Sequence, residues 1–381
     1  MGFTLVALAA WNEWCGLRLL ACRELLSKRD REQLRSTESP LAALSRVAAG
    51  PASATVVDVA FVFLVLGVVT SYMIACHDML APTLAPVFPG LVAARRDIFA
   101  AAALCLPLTM VRDIGRLAPA SVVGLACLAV SCVAVVAFAW TTGRDDGPGT
   151  ILWSVSATPT DLASGFGVLS YCFGIVPLAP QFEASMRRPS DFKQAQRVSL
   201  AISCVVYAIV GVLVSTLYSR KGGGVSGNFL DNLPHTPIAA AVRVAMAVVC
   251  IFSAPFAVVA AAQVAHAKLG RSGVYDRLAV RTLILAIAAS IAAACPSFAL
   301  VISVVGSGAV SFLSFVLPPL LHWRFLGRRR QQQQVSPAAT EFQSTLDLLA
   351  FGVGTVVVLF ATSLTGASAY CQLLRPMGAK N

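Results

Sequence analysis

Charged side chains are scarce in this sequence. Asp, Glu, Lys and Arg make up only 12% of its 381 residues, whereas soluble domains carry roughly 25%. Hydrophobic residues make up 57% of the chain, and its mean hydropathy is +0.77. So few charges cannot cover a core of this size with a polar surface. The composition therefore excludes a soluble globular protein and indicates an integral membrane protein.

Histidine is also rare, which limits the chemistry open to the chain. The four histidines are scattered, so none pair at the spacing of a zinc site or a di-iron histidine box. No Gly-rich loop ends in Lys-Ser or Lys-Thr, which excludes an ATP-driven pump on this chain. His77-Asp78 evokes a membrane acyltransferase, but nothing around it supplies the rest of such a site. We predict that the protein is not an enzyme and holds no metal or cofactor.

Apolar stretches of membrane-spanning length recur along the whole chain. A hydrocarbon core about 30 Å thick needs roughly 20 apolar residues of helix. We predict an all-α membrane domain over 1–370, a tail at 371–381, a cytoplasmic loop at 24–55 and a disordered cytoplasmic loop at 324–345. The predicted spans are 3–22, 56–76, 98–111 (short), 119–141, 161–185, 198–218, 238–265, 281–302, 305–323 and 346–368.

Lys and Arg are unequally shared between the two sides of this arrangement. Alternate loops, among them 24–55 and 324–345, hold 20 of the 29 basic residues, and the opposite side holds 7. The positive-inside rule places the basic side in the cytosol, with both termini on the other side. The net charge of +11 is thus explained by topology and not by nucleic-acid binding.

The fifth predicted span, 161–185, is interrupted near its middle. Gly174, Pro177 and Pro180 disrupt the backbone hydrogen-bond ladder at a depth where no water can repair it. In transporters such breaks are the places where helix ends meet substrate. The alternative is a proline kink that serves packing alone. We predict that the break belongs to the binding site of a solute carrier.

The residues of the break are the main candidate substrate contacts. Backbone groups at Cys172, Phe173 and Gly174 would bind the carboxylate or amine of a substrate. Tyr171 and Phe173 would wall a pocket for its side chain, and Pro177 completes the interruption.

Two carboxylates are candidates for coupling or gating. Glu13 lies in mid-span, where a charge costs several kcal/mol unless it is paired or protonated. It would join a proton path or form a salt bridge inside the bundle, for example with Arg243. Glu183 lies near the cytoplasmic end of the broken span, where it would carry protons or pair with neighbouring basic residues.

Several motifs, in their order along the chain, resemble the amino acid/auxin permease family. The segment 161–189 is similar to the sixth helix of the family, with one extra residue between Glu183 and Met186. Other matches are Leu106-Pro107-Leu108 with Arg112-Asp113-Ile114 (fourth helix), Asn232-Leu233-Pro234 with Ser253-Ala254-Pro255 (the loop and eighth helix of the vesicular inhibitory amino acid transporter branch), and Val305-Gly306-Ser307-Gly308 with Leu317-Pro318-Pro319 (ninth-to-tenth junction).

The resemblance implies a leucine-transporter-like bundle of two inverted five-helix repeats plus one helix. The first span here aligns with the second family helix, so the broken first helix has no counterpart among the ten spans. We therefore expect a further apolar helix to be encoded upstream of Met1, and the chain as given to transport poorly. By the same resemblance, Tyr72 and Ser253 lie on the third and eighth family helices and would line the cavity.

The implied function is secondary active transport of an amino acid across a lipid bilayer by alternating access. As symporter or antiporter, this permease would couple to protons, or else to sodium. A non-transporting amino-acid sensor on the same fold, a pore, and a truncated inactive form are the alternatives. The vesicular-type resemblance favours the vacuole or another endomembrane over the plasma membrane.

The unequal basic charge yields a test of orientation. Val225 and Gln332 should lie on opposite sides of the membrane, with Gln332 in the cytosol. Single cysteines placed there in a cysteine-depleted background should react with a membrane-impermeant maleimide from opposite faces. Labelling of both from one side would refute the span count.

Overall fold

The computed structural model describes residues 2–26, 40–111, 118–142, 158–218, 236–270, 273–295, 297–331 and 337–378. Within these residues the chain is helical and contains no strand. The helices are α1 (Gly2–Glu24), α2 (Pro40–Ala49), α3 (Pro51–Leu84), α4 (Pro89–Ala93), α5 (Asp97–Thr109), α6 (Ala118–Thr142), α7 (Pro159–Cys172), α8 (Ala179–Ser185), α9 (Phe192–Tyr218), α10 (Pro237–Leu269), α11 (Val274–Ala294), α12 (Phe298–Val305), α13 (Leu317–Gln331) and α14 (Pro337–Gly378).

Local sequence signals explain where several helices begin and end. Proline occupies the first turn of α3, α7 and α10, where its missing N–H costs nothing. Thr158 caps α7 in a reciprocal capping box with Asp161. The α10 helix ends at Gly270, whose positive φ of 61° a glycine adopts without strain.

Nine helices within the described residues are long and apolar enough to cross a membrane, with α7–α8 and α12–α13 counted as one span each. The α5 helix is apolar but has only 13 residues, which matches the short span predicted at 98–111. The protein is therefore an all-helical integral membrane protein, as its composition indicates.

Three predicted boundaries are wrong. The predicted loop 24–55 contains α2 and the start of α3, because Pro40 and Pro51 open helices there. The predicted loop 324–345 is helical up to Gln331 and again from Pro337, since polar residues extend a helix beyond its apolar part. The eighth and ninth spans do not meet at 303–304, because α11 ends at Ala294 and Ser297 caps α12, which continues to Val305.

Two further boundaries concern the tail and the low-complexity loop. The α14 helix continues to Gly378, so most of the predicted tail 371–381 is helical backbone. Of the predicted disordered loop, 332–336 lie outside the described residues.

The helices form an inner group and an outer group. We compare the share of buried residues within the most apolar 18 residues of each span. This share is 72% in α12–α13, 56% in α3, and 50% in both α10 and α1. It is only 22% in α14, 17% in α6 and 11% in α9. The α3 and α10 helices pack along each other at the centre of the main apolar core. The outer helices present β-branched and aromatic side chains outward, as a lipid-facing surface requires.

Glycines set the distance between α7 and the helix formed by α12 and its continuation beyond Gly306. A Cβ atom on Gly167 would lie 2.3 Å from the carbonyl oxygen of Ser303, and one on Gly306 would lie 1.9 Å from the carbonyl oxygen of Gly167. Only residues without a side chain allow two backbones this close. The same device recurs at Gly67, whose Cβ would lie 2.2 Å from Val305.

This crossing generates a prediction of stability. Gly167→Ala should destabilise the purified protein by about 1–3 kcal/mol, because backbone atoms must move to admit the methyl group. Thermal unfolding in detergent measures the effect.

The matched control is Gly165→Ala, two residues before Gly167 on α7. A Cβ there meets nothing within 4 Å, so alanine should raise the stability by up to about 1 kcal/mol through helix propensity. Equal unfolding temperatures for the two variants would contradict the close crossing.

Candidate functional site

The break predicted between residues 172 and 180 is present in the structure. The α7 helix ends at Cys172, and one turn of 3₁₀-helix, Val176–Leu178, leads into α8. The residues between α7 and this 3₁₀ turn satisfy their own N–H donors. The N–H group of Gly174 bonds to the Tyr171 carbonyl oxygen at 3.1 Å, and that of Ile175 bonds to the Phe173 carbonyl oxygen at 2.7 Å. In this conformation the carbonyl end of α7, and not a row of free N–H groups, faces the interruption.

Four helices place hydroxyl groups around the break. The Tyr171 hydroxyl lies 2.6 Å from Ser71 Oγ on α3, and Tyr72 on α3 lies beside Ser253 on α10. From α9, the Tyr207 hydroxyl donates to the Cys172 carbonyl oxygen at 3.4 Å. Three of the chain's six tyrosines therefore meet here.

The predicted substrate contacts divide into three groups. Tyr171, Tyr72 and Ser253 come together as expected, and buried Phe173 packs edge-on against Tyr207 at 5.6 Å between ring centroids. The Cys172 side chain is exposed, so only its backbone faces the site. Gly174 lies against the side chain of Val310, where an added Cβ would be 3.1 Å from Cγ1.

Pro177 lies on the far side of the interruption, in a narrow cleft towards the predicted cytoplasmic end. Pro180 and Gln181 line this cleft from the same segment, and Asp58 and Phe61 line it from α3. Gln181 Oε1 is buried without a hydrogen-bond partner among the described residues. The cleft therefore combines the Asp58 carboxylate, which pairs with Lys268, with a Gln181 amide oxygen in otherwise apolar surroundings.

Both candidate coupling carboxylates form ion pairs. Glu13 Oε1 lies 2.6 Å from Nε of Arg197 on α9, so it forms a salt bridge, but with Arg197 and not with Arg243, the partner that we gave as an example. The α1 helix packs on α9, so the cation nearest to Glu13 comes from there. Glu183 pairs with Arg23, the last basic residue of α1. Neither residue touches the tyrosine cluster in the contacts that the structure shows.

A π-helical stretch faces the break from the opposite wall. Gly306–Val310 and Phe312–Val316 are wound as π-helix, and we call 306–316 the π segment. Pro318 and Pro319 follow it and offer no N–H to the carbonyl groups of Ser314 and Phe315, which favours the wider winding. Such stretches are common at functional sites. Its Gly306 and Val310 are the residues that contact α7 and Gly174.

Sequence reasoning missed Ser71, Tyr207 and the π segment. Tyr207 is 39% exposed, and a tyrosine within an otherwise aliphatic stretch of α9 was the available signal. Ser71 precedes the predicted Tyr72 on α3, so its side chain points in a different direction and meets α7, whereas Tyr72 meets α10. The glycines, serines and paired prolines around 306–319 indicate an irregular helix there, but they do not predict that it is wound as π-helix.

Two fully buried serines beside the break lack partners among the described residues. They are Ser170 on α7, next to Tyr171, and Ser314 in the π segment. Buried hydroxyl groups are normally hydrogen-bonded, and an unmet one costs about 1–3 kcal/mol. Both are therefore available to a polar ligand.

Several known proteins that are similar to this chain are named as amino acid transporters. Amino acid transporter AVT1B of Arabidopsis thaliana is 27% identical over 266 residues, which cover 68% of this chain and 45% of the relative. The human vesicular inhibitory amino acid transporter is 24% identical over 264 residues (65% and 49%), and Arabidopsis AVT3A is 23% identical over 319 residues (82% and 70%). The chain spans about half the length of the first of these relatives.

The family model described as transmembrane amino acid transporter protein matches residues 2–365. This match covers nearly the whole chain and includes every element that surrounds the break. It also confirms that the chain is related to transporters and not to enzymes. The chain belongs to the transmembrane amino acid transporter family, the amino acid/auxin permeases.

Proposed function

We propose that the protein carries amino acids across an endomembrane by alternating access, with the break between α7 and α8 as its substrate site. The observation that carries the proposal is the meeting of an interrupted helix with hydroxyl-bearing side chains from three other helices. Family membership and relatives named as amino acid transporters support it.

The chemistry of the site suits a zwitterion. The carbonyl end of α7 carries the negative end of the helix dipole and would attract an ammonium group. Tyr171, Tyr72 and Ser253 supply hydroxyl donors for a carboxylate. Phe173 and Val310 give an apolar wall for the substrate's side chain. The mixture of an apolar pocket with a few convergent polar groups is typical of small-molecule sites.

Ion pairs along the second half of α1 suit a gate. Arg23 pairs with Glu183, Glu24 with Lys193 at 2.6 Å, and Glu13 with Arg197. All three join α1 to the chain just beyond the break, so opening a path there would separate these charges. Because each pair is partly exposed, its strength is modest and its rupture is compatible with a transport cycle. We assign Glu13 and Glu183 to gating in this proposal.

Location and energy source complete the proposal. Relatives named as vesicular transporters favour a vacuolar or other endomembrane site. A proton gradient is the driving force that we propose for such a compartment, in symport or antiport.

Counterflow tests the function directly. Purified protein in liposomes preloaded with an unlabelled amino acid should take up the same labelled amino acid, with saturation, for at least one member of a panel of the protein amino acids. Empty liposomes are the control.

Two outcomes would replace the proposal. Saturable binding without counterflow would indicate a sensor. Conductance that does not saturate would indicate a pore.

Gly174 provides the test of the site. Gly174→Leu should abolish counterflow, because its side chain would occupy the space between Tyr171 and Val310. The size-exclusion profile in detergent should stay that of the native protein.

The matched control for Gly174→Leu is Gly211→Leu on α9. No atom lies within 4 Å of a Cβ there, so counterflow should be kept. Normal substrate affinity in folded Gly174→Leu would show that the break serves packing alone.

A further inference from the structure

A buried cluster of three ionisable side chains joins α1, α13 and α14 away from the tyrosine cluster. Asp347 on α14 has no solvent exposure. Its Oδ2 lies 2.5 Å from Nδ1 of His322 on α13, and its Oδ1 lies 3.3 Å from Nε of Arg18 on α1. The Arg18 guanidinium also stacks on Trp14, 4.9 Å from the ring centroid.

The charges of this cluster balance only when His322 is neutral. Arg18 and Asp347 compensate each other, and an ionised carboxylate can only accept hydrogen bonds, so His322 Nδ1 carries the donated hydrogen. A proton gained by the ring would go to Nε2 and leave one net positive charge among buried groups. Imidazole is the side chain that ordinarily changes charge between about pH 5 and 8.

The groups that surround the cluster are thiols, apolar residues, or charged residues that are paired or exposed elsewhere. Cys15 and Cys22 are buried thiols on α1 within electrostatic range of Asp347 and Arg18. The α12 helix and the π segment carry no charged residue. The other charged groups with described side chains on the surrounding elements are paired elsewhere, bonded to backbone, exposed or at an exposed helix start: Glu13, Arg23, Glu24, Arg46, Asp161, Glu183, Lys193, Arg197, Arg324, Arg328, Arg329 and Glu341.

A continuous helix connects His322 with the break. The α13 helix follows directly from the π segment, whose Val310 contacts Gly174 and whose Gly306 contacts Gly167. Phe315 of the same segment packs on Trp11 of α1, at 5.4 Å between ring centroids, and on Phe166 of α7 at 6.3 Å. A change in the cluster would therefore move elements that form the substrate site.

We infer that His322, held by Asp347 and Arg18, is the proton-binding site that couples transport to pH. Protonation of Nε2 makes the ring cationic, which strengthens the hydrogen bond from Nδ1 to Asp347 and draws this carboxylate away from Arg18. The α14 helix is then held more tightly by α13 and less tightly by α1, so the pair can shift relative to α1. Glu13 and Glu183 suit this task less well, because each is bound by an arginine and partly exposed. The inference rests on the proposed amino acid transport.

The test measures counterflow and proton movement on the same proteoliposomes. A mixture of the twenty protein amino acids, adjusted to the pH of the lumen, is added outside the proteoliposomes. A pH-sensitive dye trapped inside reports the change in luminal pH. Wild-type protein should show both signals. His322→Gln, which keeps an N–H donor for Asp347 but cannot titrate, should keep counterflow within about twofold and lose at least about four-fifths of the proton signal. His322→Asn is the second variant.

The chain offers a matched control in its other His–Asp pair. His77 Nδ1 lies 2.7 Å from Asp97 Oδ2 and joins α3 to α5, so this pair is not on the helix that continues from the π segment into α13. His77→Gln should keep both signals.

Four results would overturn the inference. The first is a full proton signal in His322→Gln, and the second is an equal loss in His77→Gln. The third is wild-type counterflow without proton movement, and the fourth is loss of counterflow in both folded His322 variants, which would place His322 in translocation itself. Absence of counterflow in the wild-type protein would overturn the proposed function instead, and this inference with it.

Discussion

The requirement that every backbone polar group in a membrane find a partner shapes this protein. A helix that stops at Cys172 and resumes at Ala179 leaves carbonyl groups without intrahelical partners, and lipid supplies none. The chain meets the requirement in two ways. The turn bonds to itself through Gly174 and Ile175, and Tyr207 donates to the Cys172 carbonyl from another helix. An interrupted helix at this depth therefore has to be surrounded by protein, and the inner position of α3, α10 and the π segment follows from that need.

Close approach is the second constraint, and glycine provides it. The π segment can lie against α7 only because Gly167 and Gly306 have no side chains. A contact between two backbones has no rotamers that could absorb a displacement, so movement of one helix passes directly to the other. The proposed substrate site and the π segment are thus mechanically linked, and the π segment continues into the helix that carries His322.

Local chemistry explains which features the sequence predicted. The break follows from the conformational rules of Gly174, Pro177 and Pro180, and the spans follow from the length of apolar runs, so both could be predicted without tertiary information. The partner of Glu13 could not, because it depends on α1 packing beside α9, which places Arg197 and not Arg243 within reach. Tyr207 and Ser71 were missed for the same reason. The loop at 324–345 was misjudged because composition alone does not show where a long helix leaves the membrane.

The winding of the π segment has a geometric consequence for His322. Each π turn holds a residue more than the α turn that it replaces, and each residue of an α-helix advances the chain by about 1.5 Å and turns it by roughly 100°. If one such turn closed to ordinary α winding, α13 would rotate about its own axis relative to Gly306, the residue that contacts α7. His322 would then be carried away from Asp347 and towards different surroundings. A change of winding in the π segment, which lies between the proposed substrate site and the buried cluster, would thus alter the surroundings of a single imidazole by rotation of one helix.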